Sequence, residues 1–138
     1  MTIQTATAEA HPNIAFIKYW GNRDEKKRLP VNGSISMNLG ALATRTTVTF
    51  DSSLSADSLT INQDTIHGSA ADRVFSILDM VRSLAGLSAH ASVVSSANFP
   101  LGVGIASSAA AFAALAEAAS SAAGLEQSEA ERSRIARL

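Results

Sequence analysis

Residues 98–110 read NFPLGVGIASSAA, and the way this stretch is read decides the organisation of the whole chain. It joins a run that suits a strand, residues 90–96 (HASVVSS), to an alanine-rich run. In that second run, residues 105–123, 11 of 19 residues are alanine. Pro100 ends the strand because it brings no N–H to a ladder. Gly102 and Gly104 let the backbone turn tightly and approach a ligand with no Cβ in the way. Ser107 and Ser108 fall at the start of the predicted helix, where the first N–H groups lack intrahelical partners and the dipole is positive. A polyphosphate satisfies both. The two hydroxyls add donors, and either can help hold Mg²⁺. Gly-x-Gly alone is read equally well as an ordinary glycine loop with a serine helix cap. The stretch is not a Walker loop, since no Gly-Lys-Ser/Thr occurs, and GVGIAS lacks the third glycine of a dinucleotide fingerprint.

Working outward, the alanine-rich run carries Glu117 and several serines. It lacks the stronger hydrophobes of a membrane span of about 20 residues, so it reads as a soluble helix that can lie close on a sheet. It stops near Gly124. Ser128 and Glu131 then make a capping box that starts a third helix. That helix is still running at Leu138, so the domain, residues 1–138, is expected to be cut short, with a C-terminal half to follow. Upstream, Ser69 with Asp72 three residues on reads as another capping box. Ala71, Val74, Phe75, Leu78, Val81 and Ala85 follow at helical spacing, and Gly86 supplies the stop. Residues 59–61 and 65–67 flank Asn62-Gln63-Asp64 as a hairpin. Residues 45–50 (RTTVTF) are a β-branched strand. Ile35, Met37 and Leu39 alternate with polar residues, marking a half-buried strand. Residues 22–30 (NRDEKKRLP) are a charged loop, and residues 14–19 (IAFIKY) suit a buried strand. Residues 1–10 lack the basic and apolar regions of a secretory signal.

The 138 residues allow one modest core, and 46% hydrophobic with 17% charged residues is the balance of a soluble globular protein. Eleven Lys and Arg against 12 Asp and Glu give no global basic field for nucleic acid or an anionic membrane. The absence of cysteine excludes disulfides, thiolate metal sites and cysteine nucleophiles, and fits a cytoplasmic location. His11, His67 and His90 show no metal-cluster spacing and read as surface or packing residues.

The longer string Pro-x-x-x-Gly-x-x-Ser-Ser-Ala, filled by Pro100, Gly104, Ser107, Ser108 and Ala109, resembles the ATP loop of the GHMP kinases. Residues 11–24 (HPNIAFIKYWGNRD) and 29–36 (LPVNGSIS) resemble the opening of the mevalonate diphosphate decarboxylases within that superfamily. Asn98-Phe99-Pro100 and residues 133–137 (SRIAR) continue the likeness in the same order. The resemblance implies an α+β fold: a GHMP kinase N-terminal domain with a mixed, mainly antiparallel sheet, helices on one face and a left-handed βαβ unit. It implies ATP and Mg²⁺ at Pro100, Gly102, Gly104, Ile105, Ala106, Ser107, Ser108 and Ala109. It implies a phosphorylated mevalonate near Lys18, Tyr19, Trp20, Asn22 and Arg23, with Asn13 in a supporting catalytic role and the main catalytic aspartate beyond residue 138. Homodimers are frequent in the family.

Taken singly, these residues have plainer readings: Tyr19 and Trp20 as core or rim aromatics, Lys18 as a solvated lysine, Asn13 and Asn32 as turn residues. One departure stands out. The diphosphate enzymes carry lysine where this chain has Asn22, and a neutral amide does not offset phosphate charge. This favours mevalonate 5-phosphate, although Arg23, Lys26, Lys27 or Arg28 could supply the charge. The alternatives are the diphosphate substrate, a GHMP small-molecule kinase that does not decarboxylate, and an inactive nucleotide-binding fragment.

Overall fold

The computed structural model describes residues 3–18, 20–100 and 107–137. Its frame is a five-stranded sheet in the order β1-β6-β9-β7-β8. Strand β6 (Thr44–Asp51) lies inside it, antiparallel to β1 (Ile3–Ala10) on one side and to β9 (His90–Ala97) on the other. Strand β7 (Ser58–Ile61) runs parallel to β9, with helix α1 (Ser69–Ala85) as the crossover between them. This supplies the βαβ unit of an otherwise antiparallel sheet. Strand β8 (Asp64–Thr65) closes the edge through a two-residue turn at Asn62 and Gln63, both with positive φ. The turn is one residue shorter than the sequence suggested.

Alternation along β6 separates the two faces. Thr44, Thr46, Val48 and Phe50 are buried, while Arg45, Thr47, Thr49 and Asp51 point the other way and are exposed or half-buried. The open face is a hydroxyl surface, with Thr5 and Thr49 hydrogen-bonded across strands at 2.8 Å and Thr7 and Thr47 at 2.7 Å. The covered face carries α1 and α2 (Ser107–Ala122), and Phe50, Leu78, Val48, Val81 and Val93 are fully enclosed there. Burying Phe50 alone is worth about 1.5–3 kcal/mol. Helix α2 has buried residues around most of its circumference because it lies against β1 and β6 and also against α3 (Glu129–Arg137). Alanine is what permits that closeness; Ala116, Ala118 and Ala119 are almost completely covered.

The two expected capping boxes fare differently. At α3 the box forms: Glu131 Oε2 accepts from the Ser128 N–H at 2.7 Å, and Ser128 Oγ accepts from the Glu131 N–H at 3.3 Å. At α1 it does not. The cap is Gly68, at φ 76°, and no side chain bonds to the helix start. Ser69 is already helical, so its hydroxyl is one position too late to cap, and the first turn is held by the Asp72 N–H donating to the Gly68 carbonyl. Gly86 ends α1 in the left-handed conformation, with the Leu87 N–H reaching back to the Arg82 carbonyl.

A charged clamp secures the same end of α1. Arg82 forks onto Asp57, Nη1 to Oδ1 at 2.9 Å and Nη2 to Oδ2 at 2.7 Å, and the Ala91 N–H donates to Asp57 Oδ1 at 2.8 Å. Burial would raise the Asp57 carboxyl. The Arg82 guanidinium and the Ala91 N–H outweigh it and hold the group below its ordinary value.

Outside this frame lie two short ribbons. Strand β2 (Asn13–Ile17) pairs antiparallel with β5 (Ile35–Asn38), and β3 (Asn22–Asp24) with β4 (Leu29–Pro30). Neither β2 nor β5 is buried as its apolar content suggested: Phe16 is 67% exposed and Ile35 57%. The segment expected as a charged loop contains the β3–β4 hairpin, and residues 3–10, assigned no structure from sequence, form the edge strand β1.

Candidate functional site

Ser107 and Ser108 open α2, as the sequence predicted, with Ala109 behind them. Ser107 is half-buried and Ser108 and Ala109 are exposed. With 16 residues, α2 is long enough for its dipole to favour an anion at this end. Leading in, Asn98 clamps the approach. Its Oδ1 accepts from the Ala43 N–H at 2.7 Å and its Nδ2 donates to the Ala41 carbonyl at 3.1 Å. Phe99 is buried beside it and Pro100 is exposed. Gly102, Gly104, Ile105 and Ala106 lie outside the described residues, as does Tyr19.

Ser108 lines a cavity of about 240 Å³ between the sheet and the two long helices. Thr46, Val93 and Ser95 form its floor, α1 contributes Arg73 and Val74, and α2 contributes Phe112. Thr46 and Ser95 share a hydrogen bond at 2.9 Å across the floor. The Arg73 guanidinium sits 4.6 Å from the centre of the Phe112 ring. A mostly apolar space with a few hydroxyls and a cation suits a flat heterocycle, and it opens beside a helix start that suits phosphate. None of Thr46, Arg73, Ser95 and Phe112 was singled out from sequence. In isolation they are a strand threonine, a helix arginine, a strand serine and a core aromatic; only the fold brings them together.

The described residues of the second predicted group lie on the ribbons or on the segment that joins β2 to β3. Asn13 is half-buried, opposite Asn38. The two motif strings are tied together: Asn32 Nδ2 donates to the Lys18 carbonyl and the Val31 N–H donates to the Gly21 carbonyl, each at 3.3 Å. Lys18 and Arg23 are exposed, and Trp20 is 84% exposed. Asn22 is half-buried, and its Nδ2 donates to Glu25 Oε2 at 3.3 Å. So the position that departs from the diphosphate pattern has its amide turned to a carboxylate. Of the predicted residues, among those described, Ser108 lines the cavity and the ribbon residues do not.

The mixed sheet, its single βαβ crossover and a serine-led helix above an apolar cavity define an N-terminal domain of the GHMP kinase class. The family described as the diphosphomevalonate decarboxylase-like N-terminal domain matches residues 10–138. The chain belongs to that family. It is 39% identical to the phosphomevalonate decarboxylase of Haloferax volcanii over 132 residues, 96% of this chain and 41% of the relative. The structure of mevalonate diphosphate decarboxylase from Staphylococcus aureus matches with a TM-score of 0.91 and 40% identity, covering 99% of this chain and 41% of that one. The structure of MDDEF in complex with MVAPP, AMPPCP and magnesium matches with a TM-score of 0.88 and 41% identity, covering 99% and 42%. The chain thus spans about two fifths of the length of these relatives. Among the described residues, no helix is long and apolar enough to cross a membrane.

Proposed function

We propose that the protein carrying this chain is an ATP-dependent decarboxylase of phosphorylated mevalonate, acting on mevalonate 5-phosphate. ATP and mevalonate 5-phosphate would give ADP, inorganic phosphate, carbon dioxide and isopentenyl phosphate. Phosphoryl transfer turns the tertiary hydroxyl into a leaving group; as phosphate departs, the carboxylate is lost as carbon dioxide and its electron pair forms the alkene. The protein's part is to position the partners and stabilise charge.

Ser107, Ser108 and the start of α2 would take the polyphosphate, with the base directed toward the cavity under Arg73 and Phe112. Pro100, Gly102, Gly104, Ile105, Ala106 and Ala109 would shape the loop. Mg²⁺, supported by a serine hydroxyl of this pair, would offset charge on the ATP oxygens. Asn13, Lys18, Tyr19, Trp20, Asn22 and Arg23 would face the mevalonate. The catalytic aspartate and a second domain would come from further along the protein.

The observation that carries the choice of substrate is the Asn22–Glu25 contact. Where a diphosphate enzyme carries a cation, this chain has a neutral amide already directed at a carboxylate, which disfavours a second phosphate there. The relative named phosphomevalonate decarboxylase supports the same reading. The other reading, mevalonate 5-diphosphate, is favoured by the names of the structural neighbours. The test is carbon dioxide release by the full-length protein with ATP and Mg²⁺, comparing the monophosphate and diphosphate at matched concentrations. Preference for the monophosphate is expected. Preference for the diphosphate overturns the substrate choice, and ADP formation without carbon dioxide would make the protein a kinase.

A further inference from the structure

We propose that Lys27, Arg134 and Arg137 form an anion subsite that receives the phosphate tail of the substrate, an inference that rests on the function proposed above. The three side chains, with Leu29, line one groove of about 450 Å³ between the β3–β4 hairpin and the last turns of α3. Arg134 and Arg137 are three residues apart and so share a helix face. Lys27 meets them from the hairpin tip. All three are exposed.

No carboxylate lines this groove among the described residues. The neighbouring acids lie outside its lining. Glu131, one turn before Arg134, is held by the Ser128 N–H and hydroxyl, and the Arg134 charge also acts on it. Asp24 accepts from the Lys27 backbone N–H at 2.9 Å, which fixes the turn. Glu25 faces Asn22. By contrast, Arg132, on another side of α3, is paired with Glu117. The helix therefore carries one arginine held in an ion pair and two that line a groove together with a lysine. Among the described residues, three cations line one groove with no carboxylate in its lining; they repel one another, and a phosphate offers oxygens to all three. The same hairpin sets a carboxylate beside Asn22 and a cation at its tip, which moves the place for phosphate from the first to the second.

The test uses the full-length protein and direct titration with mevalonate 5-phosphate under a saturating, non-hydrolysable ATP analogue. Unphosphorylated mevalonate is the second probe. Lys27→Gln, Arg134→Gln and Arg137→Gln should each weaken the phosphorylated probe about tenfold or more, the size of one charge-assisted contact. Affinity for the ATP analogue and for unphosphorylated mevalonate should be unchanged, and Arg134→Lys should recover most of the loss. Arg45→Gln, an exposed charge on the far face of the sheet, controls for net charge and should have no effect. Unchanged binding of the phosphorylated probe in all three Gln variants overturns the subsite, as does an equal loss for the ATP analogue. The decarboxylase reading fails separately: wild-type protein that binds mevalonate 5-phosphate through these cations yet releases no carbon dioxide keeps the subsite and loses the reaction.

Discussion

The covered face of the five-stranded sheet and the β2–β5 ribbon are both rich in apolar residues, and they have opposite fates. Phe50 is 1% exposed beneath the helices, whereas Phe16 is 67% exposed on the ribbon. The sheet owes its burial to α1 and α2, each with a long apolar contact surface. The ribbon has two strands and, among the described residues, no helix packed over it, and two strands cannot enclose their own side chains. Apolar composition records a need for a covering surface and does not say which element provides it. In the sheet the cover is local in sequence. On the ribbon, which carries Asn13 and leads on to Lys18 and Trp20, apolar side chains are held where a ligand or the rest of the protein can meet them.

The sharpest way to break this contrast is to shorten one aromatic from each region. Phe50→Ala should cost about 3–5 kcal/mol in chemical denaturation, while Phe16→Ala should stay within about 0.5 kcal/mol. Equal losses would mean that the ribbon is covered too. Next in size is the clamp at the end of α1. Arg82→Ala strands Asp57 without its partner and should cost about 3 kcal/mol. It should also flatten the acid dependence of stability. The folded Asp57 carboxyl lies below its ordinary value, so its contribution is complete above the unfolded value of about 3.9 and is lost as pH falls through the folded value. Wild-type protein should therefore lose more stability on acidification from pH 5 downward than Arg82→Ala; parallel curves would remove the clamp from the account. The smallest effect separates the two helix starts. Ser128→Ala should lower stability by about 1 kcal/mol, and Ser69→Ala should leave thermal unfolding almost unchanged, since Gly68 occupies that cap.

What was legible in the sequence follows the same division. The helix after Asn98, the third helix with its Ser128–Glu131 box, the β-branched β6 and the β7–β8 hairpin all rest on local rules, and local rules were enough except at the hairpin turn, read one residue too long. Strand β1 escaped because its apolar positions Ala6, Ala8 and Ala10 alternate with Thr7 and Glu9, a contrast too weak to mark a face. The α1 cap was misplaced by one residue because serine and glycine both qualify, and only the backbone angle at Gly68 decides. At the site, the serines of α2 could be read from their position after a glycine loop. Arg73 and Phe112 could not, because their meeting depends on how two helices cross the sheet. The convergence of Lys27, Arg134 and Arg137 was also invisible, since it depends on how the hairpin lies against α3.

Trp20 has a practical consequence. It is the single tryptophan among the 138 residues and stands 84% exposed between Lys18 and Asn22. An indole in that setting emits at long wavelength and is open to collisional quenchers such as acrylamide. Anything that settles over the ribbon, whether substrate or another part of the protein, will draw the emission toward the blue and shield it from the quencher. The chain thus carries its own optical gauge of occupancy at the place where the mevalonate is proposed to lie, with no dye attached.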